Sequence, residues 1–186
     1  MSLPHTLLGL INYHPATGYE IKAAFEQSIH FFWNATLPQI YRTLGQMEEK
    51  GWLSVTVEHQ DGKPSRKVYS ITGEGREEFR RWLAEPPEIS PHRSPLLIKV
   101  FFGNQMDQNN LAEILTGCRQ QHAAMLKKYR EEIMPVIQHF SELAKAPEDS
   151  RFWTLTLDFG IRYAEMVVEW CDAAIESLGI SSSKKD

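Results

Sequence analysis

Gln39, Arg42, Thr43 and Gln46 recur at i, i+3, i+4 and i+7, the spacing that places side chains on one face of a helix. None is a carboxylate. Arg pairs with guanine and Gln with adenine in a DNA major groove, so a helix bearing this face can read base edges. An ordinary solvated helix face is the competing reading. Lys63, Ser65, Arg66 and Lys67 follow close together. Three cations and a hydroxyl so near each other can meet one phosphate backbone. Tyr41, beside Arg42, can give its hydroxyl to a phosphate or pack beneath the segment that carries the cations.

Such a face needs a rigid, well-terminated helix. Thr36 and Gln39 form a capping box, each side chain serving the other's backbone N–H, and Pro38 suits a first turn. Gly51 suits the left-handed position after a helix, so a helix is expected over residues 36–50. Ile40, Leu44 and Met47 recur at i, i+4 and i+7 and supply its apolar side. A strand from Trp52 to Gln60 should follow, then a tight basic turn from Asp61 to Arg66 and a strand from Lys67 to Ile71. Gly62 permits the turn and Pro64 stiffens its tip. A helix followed by a basic-tipped hairpin is the outline of a winged helix.

The flanking segments fit that outline. Residues 2–13 read as a first helix with Leu7, Leu8, Leu10 and Ile11 apolar, broken at His14-Pro15-Ala16. Thr17 and Glu20 form a second capping box, opening a helix whose expected buried side is Tyr19, Ile21, Ala24, Phe25 and Ile29. Phe31, Phe32 and Trp33 are expected to fill the core, with the lining of an aromatic ligand site as the alternative. Thr72 caps a fourth helix to Leu83, with Phe79, Trp82 and Leu83 apolar.

Residues 85–95 hold four prolines and read as an extended linker. Everything beyond is expected to be helical. Ser94 to Gly103 forms a short helix with Leu96, Leu97, Val100 and Phe101 apolar. Leu111, Leu115, Cys118, His122, Met125 and Tyr129 keep a heptad rhythm in a long helix. Pro135 predicts a kink near residues 132–134. The last helix, about 150–178, has two apolar seams. Leu157, Ile161, Ala164, Val168, Cys171 and Ile175 make one, and Phe159, Tyr163, Met166 and Trp170 the other. A helix apolar on two sides needs two partners, and a second subunit is the simpler source of one of them. Residues 181–186 read as a frayed tail.

The totals allow this and exclude other classes. The 186 residues are 42% hydrophobic, ample for one medium domain or two small ones. No apolar run is long enough for a membrane helix, and the start of the chain has no signal-peptide pattern. Cys118 and Cys171 give neither a disulfide framework nor a CxxC pair, so a cytoplasmic setting is the default. Net charge is -4, with nine basic and nine acidic residues in 1–84 and 11 against 15 beyond. A reader of DNA can be neutral overall if its cations share one surface. No HExxH, GxSxG, P-loop or dinucleotide-binding glycine turn occurs, and the seven histidines have no metal-ligand spacing. The chain reads as neither an enzyme nor a cofactor or metal protein.

Three motifs carry a family resemblance. Residues 12–21 (NYHPATGYEI), residues 39–51 (QIYRTLGQMEEKG) and residues 62–75 (GKPSRKVYSITGEG) resemble PadR-type transcriptional regulators, closest to the longer AphA-like members. The resemblance covers residues 2–84 by motif and 94–178 by general pattern and length. It implies a homodimeric winged-helix regulator whose C-terminal helices pair across a two-fold axis, and it gives Thr36 a phosphate contact.

The resulting expectation is mostly α with a small β-hairpin: a winged helix-turn-helix domain (1–84), a linker (85–95) and a helical antiparallel dimerisation domain (96–180). The function expected is transcriptional regulation through double-stranded DNA, at a pseudo-palindromic operator, possible control by a small aromatic effector included. The alternative is a winged-helix protein-interaction module without DNA readout. The base readers expected are Gln39, Arg42, Thr43 and Gln46. The phosphate holders are Thr36, Tyr41, Lys63, Ser65, Arg66 and Lys67. Both seams of the last helix are dimerisation candidates.

Overall fold

The computed structural model describes residues 3–29, 32–60, 63–87, 93–143 and 147–179, apart from the side chains of Gln60, Lys63, Pro64, Gln138, Phe140, Leu143 and Pro147. Expectations for Phe31, the Asp61–Gly62 tip, linker residues 88–92 and the tail lie outside the described residues. In chain order the elements are α1 (Leu3–Tyr13), β1 (Ala16–Thr17), α2 (Gly18–Ser28), α3 (Leu37–Glu49), β2 (Leu53–Gln60), β3 (Lys63–Ile71), α4 (Gly73–Ala84), α5 (Pro95–Phe101), α6 (Gln108–Lys128), α7 (Met134–Leu143) and α8 (Ser150–Ser177). The fold is mostly helical with one small sheet, the winged-helix class expected. Two compact units emerge: residues 1–88 with 140–147, and residues 89–139 with 148–186.

The first unit is organised by one apolar core. Leu7, Leu8 and Ile11 of α1, Ile21 and Phe25 of α2, and Ile40, Leu44 and Met47 of α3 meet Leu53, Tyr69 and Ile71 of the sheet. Each fully buried Leu, Ile or Phe contributes roughly 1.5–3 kcal/mol. The capping box at Thr17 forms as the sequence implies, with Thr17 N–H donating to Glu20 (2.7 Å) and Glu20 N–H to Thr17 (3.3 Å). Tyr19 departs from expectation: it is 70% exposed. It lies in the first turn, two residues after the Thr17 cap, and the core-facing positions of that short helix fall to Gly18, Ile21 and Phe25. Phe32, Trp33 and Leu83 are also exposed rather than core-filling.

The sheet order is β1-β3-β2, all antiparallel. β1 was not foreseen. His14-Pro15-Ala16 reads as a simple break, yet Ala16 and Thr17 pair with Tyr69 and Val68, and so fasten α1 and α2 to the hairpin. The hairpin is longer than expected, since β3 begins at Lys63 and takes up residues assigned to the turn. Pro64 is tolerated because β1 reaches only Val68, which leaves the distal part of β3 at a sheet edge. The pairing is irregular between Glu58 and Gln60.

A half-buried polar contact ties α1 to α4. His5 Nε2–H donates to the Glu78 carboxylate at 2.9 Å, and the imidazole lies flat on Trp82 with centroids 4.7 Å apart. Nδ1 is buried with no partner among the described residues. A carboxylate only accepts, so the proton sits on Nε2. The His5 bond first, then the bond and charge of Arg81, hold the Glu78 carboxyl below the usual carboxylate range against the opposing effect of burial.

In the second unit, Leu111 and Leu115 of α6 pack on Val167 and Cys171 of α8, with Leu96 and Val100 of α5 against them. The other two apolar residues expected of α5, Leu97 and Phe101, are exposed. Arg119 with Asp172, and Arg130 with Glu165, pair across the helices. Rising numbers on one side meet falling numbers on the other, so α6 and α8 run antiparallel. Pro135 acts earlier than expected. It lacks an N–H and its ring would strike the Glu131 carbonyl in an α turn, and the chain widens into a π turn over Tyr129–Ile133. Along α6 the heptad holds for Leu111, Leu115 and Tyr129, whereas Met125 is exposed. His122 Nδ1–H donates to the Cys118 carbonyl at 2.9 Å. Burial and the neighbouring Cys118 thiol push Cys171 up to about 11, so it packs as a neutral thiol.

The two seams of α8 behave differently. Leu157, Ala164, Val167 and Cys171 are buried within the unit, Val167 taking the place expected of Val168 because i+3 from Ala164 points at α6 where i+4 does not. Phe159 is 71% exposed, and Tyr163 and Met166 are exposed beside it. The first seam is thus consumed inside the chain; of the second, Trp170 packs against the same core and only Phe159, Tyr163 and Met166 are left outward.

Glu78→Gln should lower the melting temperature at pH 7. A depressed folded-state pKa gives stability that is present above the unfolded carboxylate value of about 4.3 and lost as pH falls through the folded value. The gap between the two proteins should therefore close below about pH 4, as circular-dichroism melts across pH would reveal.

Candidate nucleic-acid interface

α3 is fixed at both ends. Thr36 N–H donates to Gln39 Oε1 at 2.8 Å, and Gln39 N–H to Thr36 Oγ1 at 3.4 Å. At the other end Gly51, with φ +72°, gives its N–H to the Glu48 carbonyl, and Trp52 N–H reaches Met47. Those two bonds are a Schellman motif, which glycine permits by adopting the left-handed backbone. Thr72 Oγ1 donates to the Gly51 carbonyl at 2.7 Å, joining this end to the start of α4. The connection before α3 is held by Lys22, whose ammonium donates to the Ala35 carbonyl at 3.0 Å.

With Ile40, Leu44 and Met47 turned inward, Gln39, Tyr41, Arg42 and Gln46 are exposed. Arg42 and Gln46 make no side-chain hydrogen bond or ion pair among the described residues. Gln39 is half committed: its side-chain oxygen serves the cap, and its amide N–H groups remain to donate. Thr43 differs from expectation. It is buried, and its hydroxyl donates to the Gln39 carbonyl at 2.8 Å. The position i+3 from Ile40 lies at the rim of the inward face, so the four-residue stripe of the sequence becomes three outward side chains.

Tyr41 crosses from α3 towards α2. Its ring lies over Gly18, where a Cβ would sit 2.5 Å from Tyr41 Cε1, and meets Tyr19 edge-on at 6.1 Å. Desolvation, and secondarily Tyr19, raises the Tyr41 pKa, so its hydroxyl is a neutral donor. Tyr19 was missed as a surface group. The signal available was its place in the first turn of a helix capped by Thr17, two residues after the cap.

The hairpin cations are not equivalent. Arg66 donates to Glu58 at 2.7 Å, with Glu20 at 4.0 Å. Ser65 Oγ lies 2.9 Å from His59 Nδ1. Lys67 is exposed without a partner among the described residues, and it shares the sheet face of Tyr69 and Ile71, the face packed on the helices. The Lys63 side chain is outside the described residues. Glu58 opposite Arg66 was legible only by counting back through the irregular hairpin register. No group of three or more His, Cys, Asp or Glu able to hold a metal occurs among the described residues, and no helix there is long and apolar enough to cross a membrane.

Fold and side chains together define a winged helix followed by a helical unit. The profile of the transcriptional regulator PadR-like family matches residues 7–81, and that of the virulence activator alpha C-terminal region matches 92–179. The probable transcriptional regulator Rv1176c of Mycobacterium tuberculosis is 34% identical, over 96% of this chain and 98% of that protein. The crystal structure of Bacillus subtilis PadR in complex with operator DNA matches with a TM-score of 0.79 at 20% identity, over 96% of this chain and 99% of that one. The same protein in complex with p-coumaric acid matches at 0.74 and 19%, over 96% and 99%. The Vibrio cholerae virulence activator AphA matches at 0.66 and 26%, over 96% and 98%. The chain belongs to the PadR-like family of transcriptional regulators.

Thr36→Ala removes the hydroxyl that caps α3 and should destabilise the fold by about 1 kcal/mol. In thermal melts that corresponds to a drop of about 2–4 °C, while Thr36→Asn should restore most of it.

Proposed function

We propose that this chain regulates transcription by binding duplex DNA in the cytoplasm as a homodimer, with α3 of each subunit in a major groove and each hairpin on flanking backbone. The observation that carries this reading is the outward face of α3, where Arg42 and Gln46 stand exposed and uncommitted on a helix held at both ends. Arg42 suits guanine and Gln46 adenine, and Gln39 adds its amide N–H groups. Lys67, Lys63, Tyr41 and Thr36 hold phosphate. Arg66 and Ser65 join them by exchanging Glu58 and His59 for phosphate oxygens, an exchange that a surface ion pair opposes weakly.

Residues 1–84 read DNA in this proposal, 85–95 link, and 96–180 pair the subunits. The pairing surface is the exposed stripe of Phe159, Tyr163 and Met166, since the other seam already lies in the chain's own core. Two-fold pairing presents two α3 helices to a pseudo-palindromic operator, with half-sites about one to two helical turns apart. A small aromatic effector belongs to the same reading. An open groove of about 500 Å³ is lined by Met106, Asn110, Glu113 and Ile114, and the Glu113 carboxylate favours a neutral phenol over a phenolic acid. Saturable thermal stabilisation by a neutral phenol, absent with p-coumarate, is the expected result; the reverse order would remove the groove from the proposal.

Arg42→Ala should lose about 1–3 kcal/mol of sequence discrimination per half-site, whereas Lys67→Ala should weaken all duplexes alike and flatten the salt slope by about one per subunit. Fluorescence anisotropy over a salt series measures both. If changing Arg42, Lys63 and Arg66 together leaves duplex affinity unaltered, a protein-interaction module replaces this reading. Phe159→Glu should turn the dimer into a folded monomer in sedimentation experiments, and a persistent dimer would place the interface elsewhere.

A further inference from the structure

α3 carries a glycine in its interior that the chain's own fold does not require. Gly45 lies four residues from the helix end, where glycine weakens a helix relative to alanine. Its φ is not positive, unlike Gly51 and Gly179. A Cβ added to it meets nothing within 4 Å, whereas one at Gly18 would strike Tyr41 and one at Gly75 the Trp52 carbonyl. Neither backbone conformation nor internal packing accounts for it.

Its surroundings say what approaches instead. Gly45 is partly accessible, between exposed Tyr41 and Arg42 on one turn and exposed Gln46, Glu48 and Glu49 on the other. The two carboxylates disfavour a phosphate at this gap, which leaves a base edge. Bare helix backbone offers no side-chain hydrogen bond, and the apolar feature of the major groove is the thymine methyl.

We propose that Gly45 is a specificity-determining position of α3, its missing side chain forming a notch that admits a thymine methyl beside the contact of Arg42, on the side of Tyr41. This inference rests on the DNA-binding reading above. A side chain at 45 closes the notch without disturbing the fold.

The test uses the full-length protein and duplexes that the wild type selects from a random-sequence library. Gly45→Ala should raise the melting temperature by about 2–4 °C. It should also weaken the selected duplex about tenfold while unselected duplex stays within about threefold, and Gly45→Leu should weaken the selected duplex further. Selection repeated with Gly45→Ala should lose a thymine preference at one position of each half-site. Retention of wild-type affinity and of the same selected bases by Gly45→Ala overturns the inference. If Arg42→Ala loses the selected duplex while Gly45→Ala keeps it, the notch alone is refuted. If neither variant differs from wild type, base reading by α3 falls with it.

Discussion

The burial of Ile40, Leu44 and Met47 is the constraint on which the first unit depends. These side chains sit at the centre of a core to which α1, α2 and the sheet all contribute, and their burial supplies several kcal/mol towards holding a helix that contains an unfavourable glycine. The same contacts fix the rotation of α3 about its axis, which decides which polar residues face outward. Capping boxes and the Schellman turn remove the remaining freedom at the ends. If that face reads DNA as proposed, a surface made rigid in this way needs little ordering when it meets its partner, and that ordering is what usually erodes affinity. In the proposed reading, folding and recognition are two faces of thirteen residues.

Electrostatics is arranged with more restraint than the sequence suggests. The hairpin whose tip reads as basic in the sequence carries Glu58 against Arg66, and Glu20 divides its attention between the Thr17 cap and Arg66. The Thr17 hydrogen bonds, more than the charge of Arg66, keep the Glu20 carboxyl below its usual range. Partial neutralisation of this kind limits indiscriminate attraction to polyanions, and exposed pairs of this sort contribute only about 0–1 kcal/mol each, so they yield easily. It suits a protein whose net charge is -4, because attraction to DNA then rests on a few positioned cations rather than on overall charge.

Local signals were legible in the sequence wherever a short-range pattern determined the outcome. The capping boxes at Thr17 and Thr36, the Gly51 terminator and the i, i+4, i+7 stripe of α3 act over a few residues and appear as read. Long-range pairing was not legible. β1 is two residues whose strand character comes only from Tyr69 and Val68, some fifty positions away. Thr43 and Tyr19 were misjudged for a related reason: periodicity fixes angular spacing, but the absolute rotation of a helix is set by what packs on it. Likewise Val167 and Val168 are equivalent in a heptad scheme until α6 chooses between them.

The size of the outward face sets a limit that links the two units. Three side chains, Gln39, Arg42 and Gln46, are presented by one α3, and Gln39 has lent its oxygen to the cap. A good bidentate base contact is worth about 1–3 kcal/mol of discrimination, whereas a regulator must separate its site from competing DNA by about 4–10 kcal/mol. One helix so equipped falls at the low end or below it. Two copies joined rigidly double the reading surface, and the second engages at high effective concentration. In the proposed reading, the apolar stripe left on α8 after its other seam is spent on α6 is what supplies that joining. In that same reading the helical unit answers a shortfall of the winged helix.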